Sequence, residues 1–145
     1  MKLIIVESSN KVKKIEKFFV EAGENDIKVV VSFGHIADLP ERGLGLDEHL
    51  RPQYNLTTSG KKTVAYLRKL VKGAKEVYLA TDPDREGEAT AFHLQRELKI
   101  HSPKRISFAE ITPKAVIAAY RHPRTLDKAL YQAQETRRVL DRLVG

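Results

Sequence analysis

Asp82, Asp84 and Glu86 stand at alternate positions in the run Ala80-Thr81-Asp82-Pro83-Asp84-Arg85-Glu86-Gly87-Glu88, directly behind the apolar stretch Val77-Tyr78-Leu79-Ala80. Such a run sets three carboxylates where a buried strand ends and a helix begins. Side chains two apart in extended backbone point the same way, so Asp82 and Asp84 share a face. Carboxylates crowded together repel one another unless a cation sits among them. With oxygen donors and no sulfur, that cation would be Mg²⁺, with Mn²⁺ as a substitute, in preference to zinc. Taken alone, the same residues could do no more than complement the dipole at a helix N-terminus.

Glu7 adds a fourth carboxylate. It closes the apolar run Leu3-Ile4-Ile5-Val6, where an unpaired charge is costly. If the strands that end at Glu7 and before Asp82 are neighbours, the four acids converge. A carboxyl that holds a proton there can serve as a general acid. Pairing of Glu7 with Lys11 or Lys13 is the plainer alternative. The loop Ser32-Phe33-Gly34-His35-Ile36-Ala37-Asp38-Leu39-Pro40 is a third constellation. Gly34 permits close approach of a ligand to the backbone, and His35 can donate to a phosphate or a carboxylate.

The elements that must position these groups follow from hydrophobic patterning. Short apolar runs at 3–6, 27–31, 76–81 and 105–108 read as strands covered on both faces. Helical spacing predicts helices over 12–22, 62–71, 86–98 and 112–120. In the first, Val12, Ile15, Phe19 and Ala22 form the apolar face; in the third, Ala89, Phe92 and His93 or Arg96 recur. Ser8, Ser9 and Asn10 can cap the first helix, and Thr112-Pro113 marks the start of the fourth. Residues 33–60 read as irregular, and a loop so long inside a compact domain is usually functional or mobile. Leu126 to Val144 forms an amphipathic helix. Strands alternating with helices imply an α/β fold, with a mainly parallel sheet of about four strands and helices on both faces. Such sheets carry their sites beyond the carboxyl ends of the strands, where Glu7 and Asp82 both fall.

Composition narrows the chemistry. The 145 residues carry a formal net charge of +7, which favours polyanionic partners. Cysteine is absent, which removes disulfides, thiolate zinc sites and cysteine nucleophiles. The first residues turn acidic too soon for a signal peptide, and no apolar run approaches a membrane span. A cytoplasmic protein without a membrane partner is the expectation.

Four separated segments, in order, resemble the Toprim domain at the amino end of type IA DNA topoisomerases. They are Ile5-Val6-Glu7-Ser8 with Lys11 and Lys13; Ser32-Phe33-Gly34-His35 with Asp38-Leu39-Pro40; Ala80 to Ala89; and Arg105-Ile106-Ser107-Phe108 with Glu110-Ile111-Thr112. A fifth, Arg137 to Gly145, is similar to the segment that leads from Toprim into the next domain. Ser9 stands where the family usually has proline.

The resemblance implies a Rossmann-like Toprim fold over 1–122 and a connecting helix, the start of the next topoisomerase domain, over 123–145. It implies Mg²⁺ ligation by Asp82, Asp84 and Glu86, with Glu7 counted as a further ligand and set beside the scissile phosphate, where it handles the proton of the 3′ oxygen. Lys13 would stabilise charge on the phosphate, the part of a preorganised cation. His35, Arg85 and Arg105 would support the acidic site or contact DNA, with Arg105 counted among the catalytic groups. Arg138 and Asp141 would belong to a groove for single-stranded DNA. The activity implied is ATP-independent cleavage and religation of one strand, relaxing negative supercoils beside the nucleoid. The family's nucleophile is a tyrosine, and none of Tyr54, Tyr66, Tyr78, Tyr120 and Tyr131 lies in its motif, so the nucleophile is expected in the remaining domains of a longer enzyme. Two other classes stay open: a free-standing Toprim nuclease or nucleotidyl transferase, and a basic module that only binds nucleic acid.

Overall fold

In the computed structural model, which describes residues 1–32, 37–38, 55–56 and 58–144, the chain builds a four-stranded parallel sheet. Its strands are β1 (Lys2–Val6), β2 (Ile27–Val31), β5 (Glu76–Leu79) and β6 (Lys104–Arg105), in the order β2-β1-β5-β6. β1 runs alongside β2 from Lys2↔Ile27 to Val6↔Val31, and alongside β5 from Lys2↔Glu76 to Ile5↔Leu79. Two short strands, β3 (Ala37–Asp38) and β4 (Asn55–Leu56), pair antiparallel within the stretch expected to be irregular. Two-residue strands leave too little alternation for a sequence pattern to register.

The pleat of the sheet explains why its strands are apolar without interruption. Successive side chains point to opposite faces, so Leu3 and Ile5 join one core cluster while Ile4 and Val6 join the other. Val77 and Leu79 alternate with Tyr78 and Ala80 in the same way. The first cluster is closed by α2 (Thr58–Lys72) and α3 (Arg85–Leu98), through Val64, Leu67, Ala91, Leu94 and Leu98. The second is closed by α1 (Val12–Glu21) and α4 (Pro113–Arg121), through Ile15, Phe18, Phe19, Val116 and Tyr120. Helices thus cover both faces, as the alternation of elements requires. A last helix, α5 (Lys128–Val144), lies against α3.

Caps fix the helix starts. The Ser8 hydroxyl accepts from the Asn10 amide and opens a 3₁₀ turn at Ser9–Lys11 that leads into α1. Thr112 accepts from the Ala115 amide at the start of α4, with Pro113 at the first position, where its missing N–H costs nothing.

Two expectations shift. The fourth strand stops at Arg105 instead of reaching Phe108, because its partner β5 ends at Leu79 and turns away; Ile106 donates the last ladder bond, to the Leu79 carbonyl. In α3 the buried positions are Gly87 to Ala91, His93, Leu94 and Leu98, while Arg96 is exposed and Phe92 only half-buried. A helix held between the sheet and α5 is covered on two sides, so a single apolar stripe does not describe it.

Candidate functional site

β1 leads through α1 to β2 on one side of the sheet, and β5 leads through α3 to β6 on the other. The chain therefore changes direction between β1 and β5, and open parallel sheets bind ligands in the crevice beyond the strand ends at such a point. Glu7 and Asp82 meet there. The Asp82 amide donates to Glu7 Oε1 at 2.9 Å. The crevice holds a cleft of about 260 Å³, floored by Val6, Ile15 and Ala80 and walled by Glu7, Ser8, Lys11, Asp82, Asp84, Phe108 and Ile111. Two of the expected metal ligands, the expected general acid and one cation thus face one cavity.

The acidic turn is built by close backbone approach. Asp84 is extended (φ −130°, ψ 179°) and caps α3, its Oδ1 accepting from the Gly87 amide at 2.6 Å. The dipole reading of these acids is therefore true of Asp84, which also lines the cleft. The Thr81 hydroxyl donates to the Gly87 carbonyl. A Cβ on Gly87 would lie 1.9 Å from the Asp82 carbonyl oxygen, so only glycine lets the helix start so near the turn. Glu86 is exposed in the first turn of α3 and does not line the cleft.

Of the two parts expected of Arg105, support of the acidic site and contact with DNA, its surroundings fit the first. Its guanidinium is fully buried and donates to four backbone carbonyls: Thr81 at 2.7 Å, Asp82 at 2.7 Å, Ile106 at 2.9 Å and Leu79 at 3.1 Å. Its Nε donates to Glu88 Oε1 at 2.9 Å. With its donors committed inward, Arg105 does not line the cleft. It is a positioning residue that pins the end of β5 and the acidic turn. Burial presses its pKa down and the Glu88 hydrogen bond opposes this.

Glu88 completes this core of charge. Its carboxylate is wholly buried and also accepts from Arg124, at 2.9 Å and 3.2 Å, and from the Asp127 amide. Burial alone would push this carboxyl up. The bonds from Arg124, the Asp127 amide and Arg105 outweigh it and hold the pKa down at about 2.

Sequence reasoning missed Glu88, Gly87 and Arg124. One signal was present: Glu88, Ala91 and Leu98 share a face of α3, and a charge on an apolar stripe implies a buried partner. Nothing local pointed to Arg124, which lies 36 positions away.

The other expected residues divide. Lys13 is exposed on the first turn of α1, and Lys11 is the lysine that lines the cleft. Arg85, at the start of α3, borders a separate groove of about 500 Å³ together with Arg137, Leu140 and Asp141 of α5. Arg138 lies on α5, with its side chain outside the described residues. His35 and Tyr54 lie outside the described residues altogether. Of the other tyrosines, Tyr78 and Tyr120 are buried in the second core cluster and Tyr66 is exposed on α2.

The donor set of the cleft suits a hard divalent cation, being carboxylate oxygen without sulfur. Among the described residues, no three His, Asp or Glu side chains are gathered closely enough to hold one by themselves. An ion there would complete its shell with water or phosphate oxygens, as Mg²⁺ commonly does. Among the described residues, no helix is long and apolar enough to cross a membrane.

A Toprim domain profile matches residues 2–111. The chain is 48% identical, over its whole length, to the plasmid DNA topoisomerase I of Xylella fastidiosa (strain 9a5c), of which it spans 22%. The crystal structure of full-length topoisomerase I from Thermotoga maritima superposes on 99% of the chain with a TM-score of 0.88 at 39% identity, and the chain spans 24% of that protein. The chain thus covers less than a quarter of the length of either relative.

Proposed function

The chain belongs to the Toprim domain family and is homologous to part of DNA topoisomerase I, and on that premise we propose that it supplies the acidic site of a type IA enzyme that cuts and reseals one DNA strand without ATP. The observation that carries this reading is the meeting of Glu7 and Asp82 across the switch point of the sheet. Residues 1–122 would form the Toprim domain and 123–145 the helix connecting it to the next.

In this reading Asp82 and Asp84, with Glu86 from the first turn of α3, would hold Mg²⁺ or Mn²⁺. When bound, the ion supplies positive charge that draws a phosphodiester to the cleft. Glu7 hands a proton to the departing 3′ oxygen as the strand is cut and takes it back on rejoining. Lys11, from the cleft wall, offsets negative charge on the phosphate, the part the sequence resemblance gives to Lys13. Arg85, Arg137 and Asp141 border the path of a single strand leaving the site, with Arg138 and His35 as further contacts. The nucleophilic tyrosine comes from the rest of a longer enzyme, since none of the five tyrosines of the chain stands in the family's nucleophile motif. Relaxation of negative supercoils and a cytoplasmic place beside the nucleoid follow from that role.

Electron paramagnetic resonance of Mn²⁺ tests the reading. The chain should bind the ion, and Asp82→Asn with Asp84→Asn should abolish binding; equal affinity in both proteins would refute the assignment. The chain alone should leave supercoiled DNA unrelaxed. Steady hydrolysis of single-stranded DNA with Mn²⁺ would instead establish the nuclease alternative, which requires no tyrosine.

A further inference from the structure

The acidic turn and the entry to α5 are joined by one continuous set of charged contacts. At one end, Arg105 Nη2 holds the Asp82 carbonyl at 2.7 Å, and the Asp82 amide in turn reaches Glu7 at 2.9 Å. At the other, Arg124 grips both oxygens of Glu88 as a fork, and the Asp127 amide adds a third bond. Glu88 Oε1 is shared: it accepts from Arg105 and from Arg124, each at 2.9 Å. The two arginines are also paired through their backbones, Arg105 donating to the Arg124 carbonyl at 2.8 Å and Arg124 to that of Arg105 at 2.9 Å. Arg124 and Asp127 sit just before α5, which packs on α3 and carries the groove bordered by Arg137 and Asp141.

We infer that Arg124 is a positioning residue for the acidic turn: through Glu88 and Arg105 it sets where the Asp82 backbone lies, so the entry to α5 and the cleft at Glu7 move as one unit. The physical reason is the shared oxygen. Charge-assisted bonds at buried sites are short and directional. Glu88 cannot give up Arg124 without redistributing its hold on Arg105, and Arg105 holds the turn by its carbonyls. Arg124 itself lines neither the cleft nor the groove, so any effect it has on the site passes through these contacts. A displacement of α5 would reach Asp82 by the same route.

The test reads the Asp82 amide directly by ¹H–¹⁵N NMR of the metal-free chain, because that proton is shared with Glu7. Arg124→Ala should shift the Asp82 resonance upfield by more than its line width, as the bond to Glu7 lengthens. Arg124→Lys, which keeps the charge and loses the fork, should shift it less. Glu76→Gln, a change at the opposite end of the sheet, should leave it in place. An Asp82 resonance unmoved in Arg124→Ala, or moved as far in Glu76→Gln, would overturn the inference. So would loss of the dispersed spectrum in both Arg124 variants, since Arg124 would then be needed for folding and not for position. A weakening of Mn²⁺ binding by Arg124→Ala, toward the range of outer-shell partners, rests on the proposed metal site. If the unaltered chain bound no Mn²⁺, that site would fall while the amide result stood.

Discussion

Glu88 and Asp82 lie six residues apart and live in opposite worlds. Glu88 is buried, accepts from two arginines and an amide, and its carboxyl is held down at about 2. Asp82 is exposed at the mouth of the cleft, and its backbone, more than its side chain, is what the fold has fixed. Both are carboxylates in one short motif, yet one is spent on architecture and the other left open to solvent, where the proposed function gives it a ligand. A carboxylate already surrounded by donors has nothing left for a cation, whereas one at a rigid backbone position and open to solvent is preorganised for one.

The sharpest way to break this division is to remove the buried partner. Glu88→Ala strands the Arg105 charge in the core and should cost about 3–5 kcal/mol, measured as a lower urea midpoint. Asp82→Asn should leave that midpoint almost unmoved; equal losses would erase the distinction. Acid should act on the same residue. The Glu88 pKa is lower in the folded chain (about 2) than the ordinary glutamate value of about 4.3. Its contribution is therefore complete above about pH 4.5 and is lost as pH falls toward 2, a swing of about 3 kcal/mol. Urea midpoints at successive pH values should show this fall in the natural chain and a flatter profile in Glu88→Gln.

Gly87→Ala probes the joint between the two worlds. A methyl group driven into the Asp82 carbonyl should cost about 1–3 kcal/mol, the usual range for overpacking, and should weaken Mn²⁺ binding as well. A variant with normal stability and normal binding would show that the close approach is dispensable. On the ligand side, Asp84→Asn keeps the helix cap, because asparagine caps as well as aspartate. Its stability should change by less than about 0.5 kcal/mol while Mn²⁺ affinity falls, and thermal melting with and without Mn²⁺ would separate the two effects. The smallest effect on stability is expected from Glu7→Gln, which retains an oxygen for the Asp82 amide. In a longer enzyme of the proposed kind the same change should still slow strand cleavage.

The motif from Asp82 to Glu86, the apolar strands and the hydroxyl caps are local features, so they were legible in the sequence. The parallel sheet and its helices follow from them with little freedom. Lys11 and Lys13 were less so. Both flank the start of one helix, and which of them meets the cleft depends on the 3₁₀ turn at Ser9–Lys11, which helical spacing does not foresee. Arg105 was legible as a support of the acidic site or a DNA contact, and only its burial distinguishes the two. A basic residue near an acidic motif reads as a substrate contact until burial shows that its donors face inward.

The order of residues alone determined which side chains end the strands, because apolar periodicity and capping are properties of a few consecutive positions. Only tertiary structure decided which carboxylate is buried and which remains open. Glu88 depends on Arg105 and Arg124, brought to it from 17 and 36 residues away. A buried charge is stable only where folding delivers its counter-charges, and that delivery is written in no single stretch of chain.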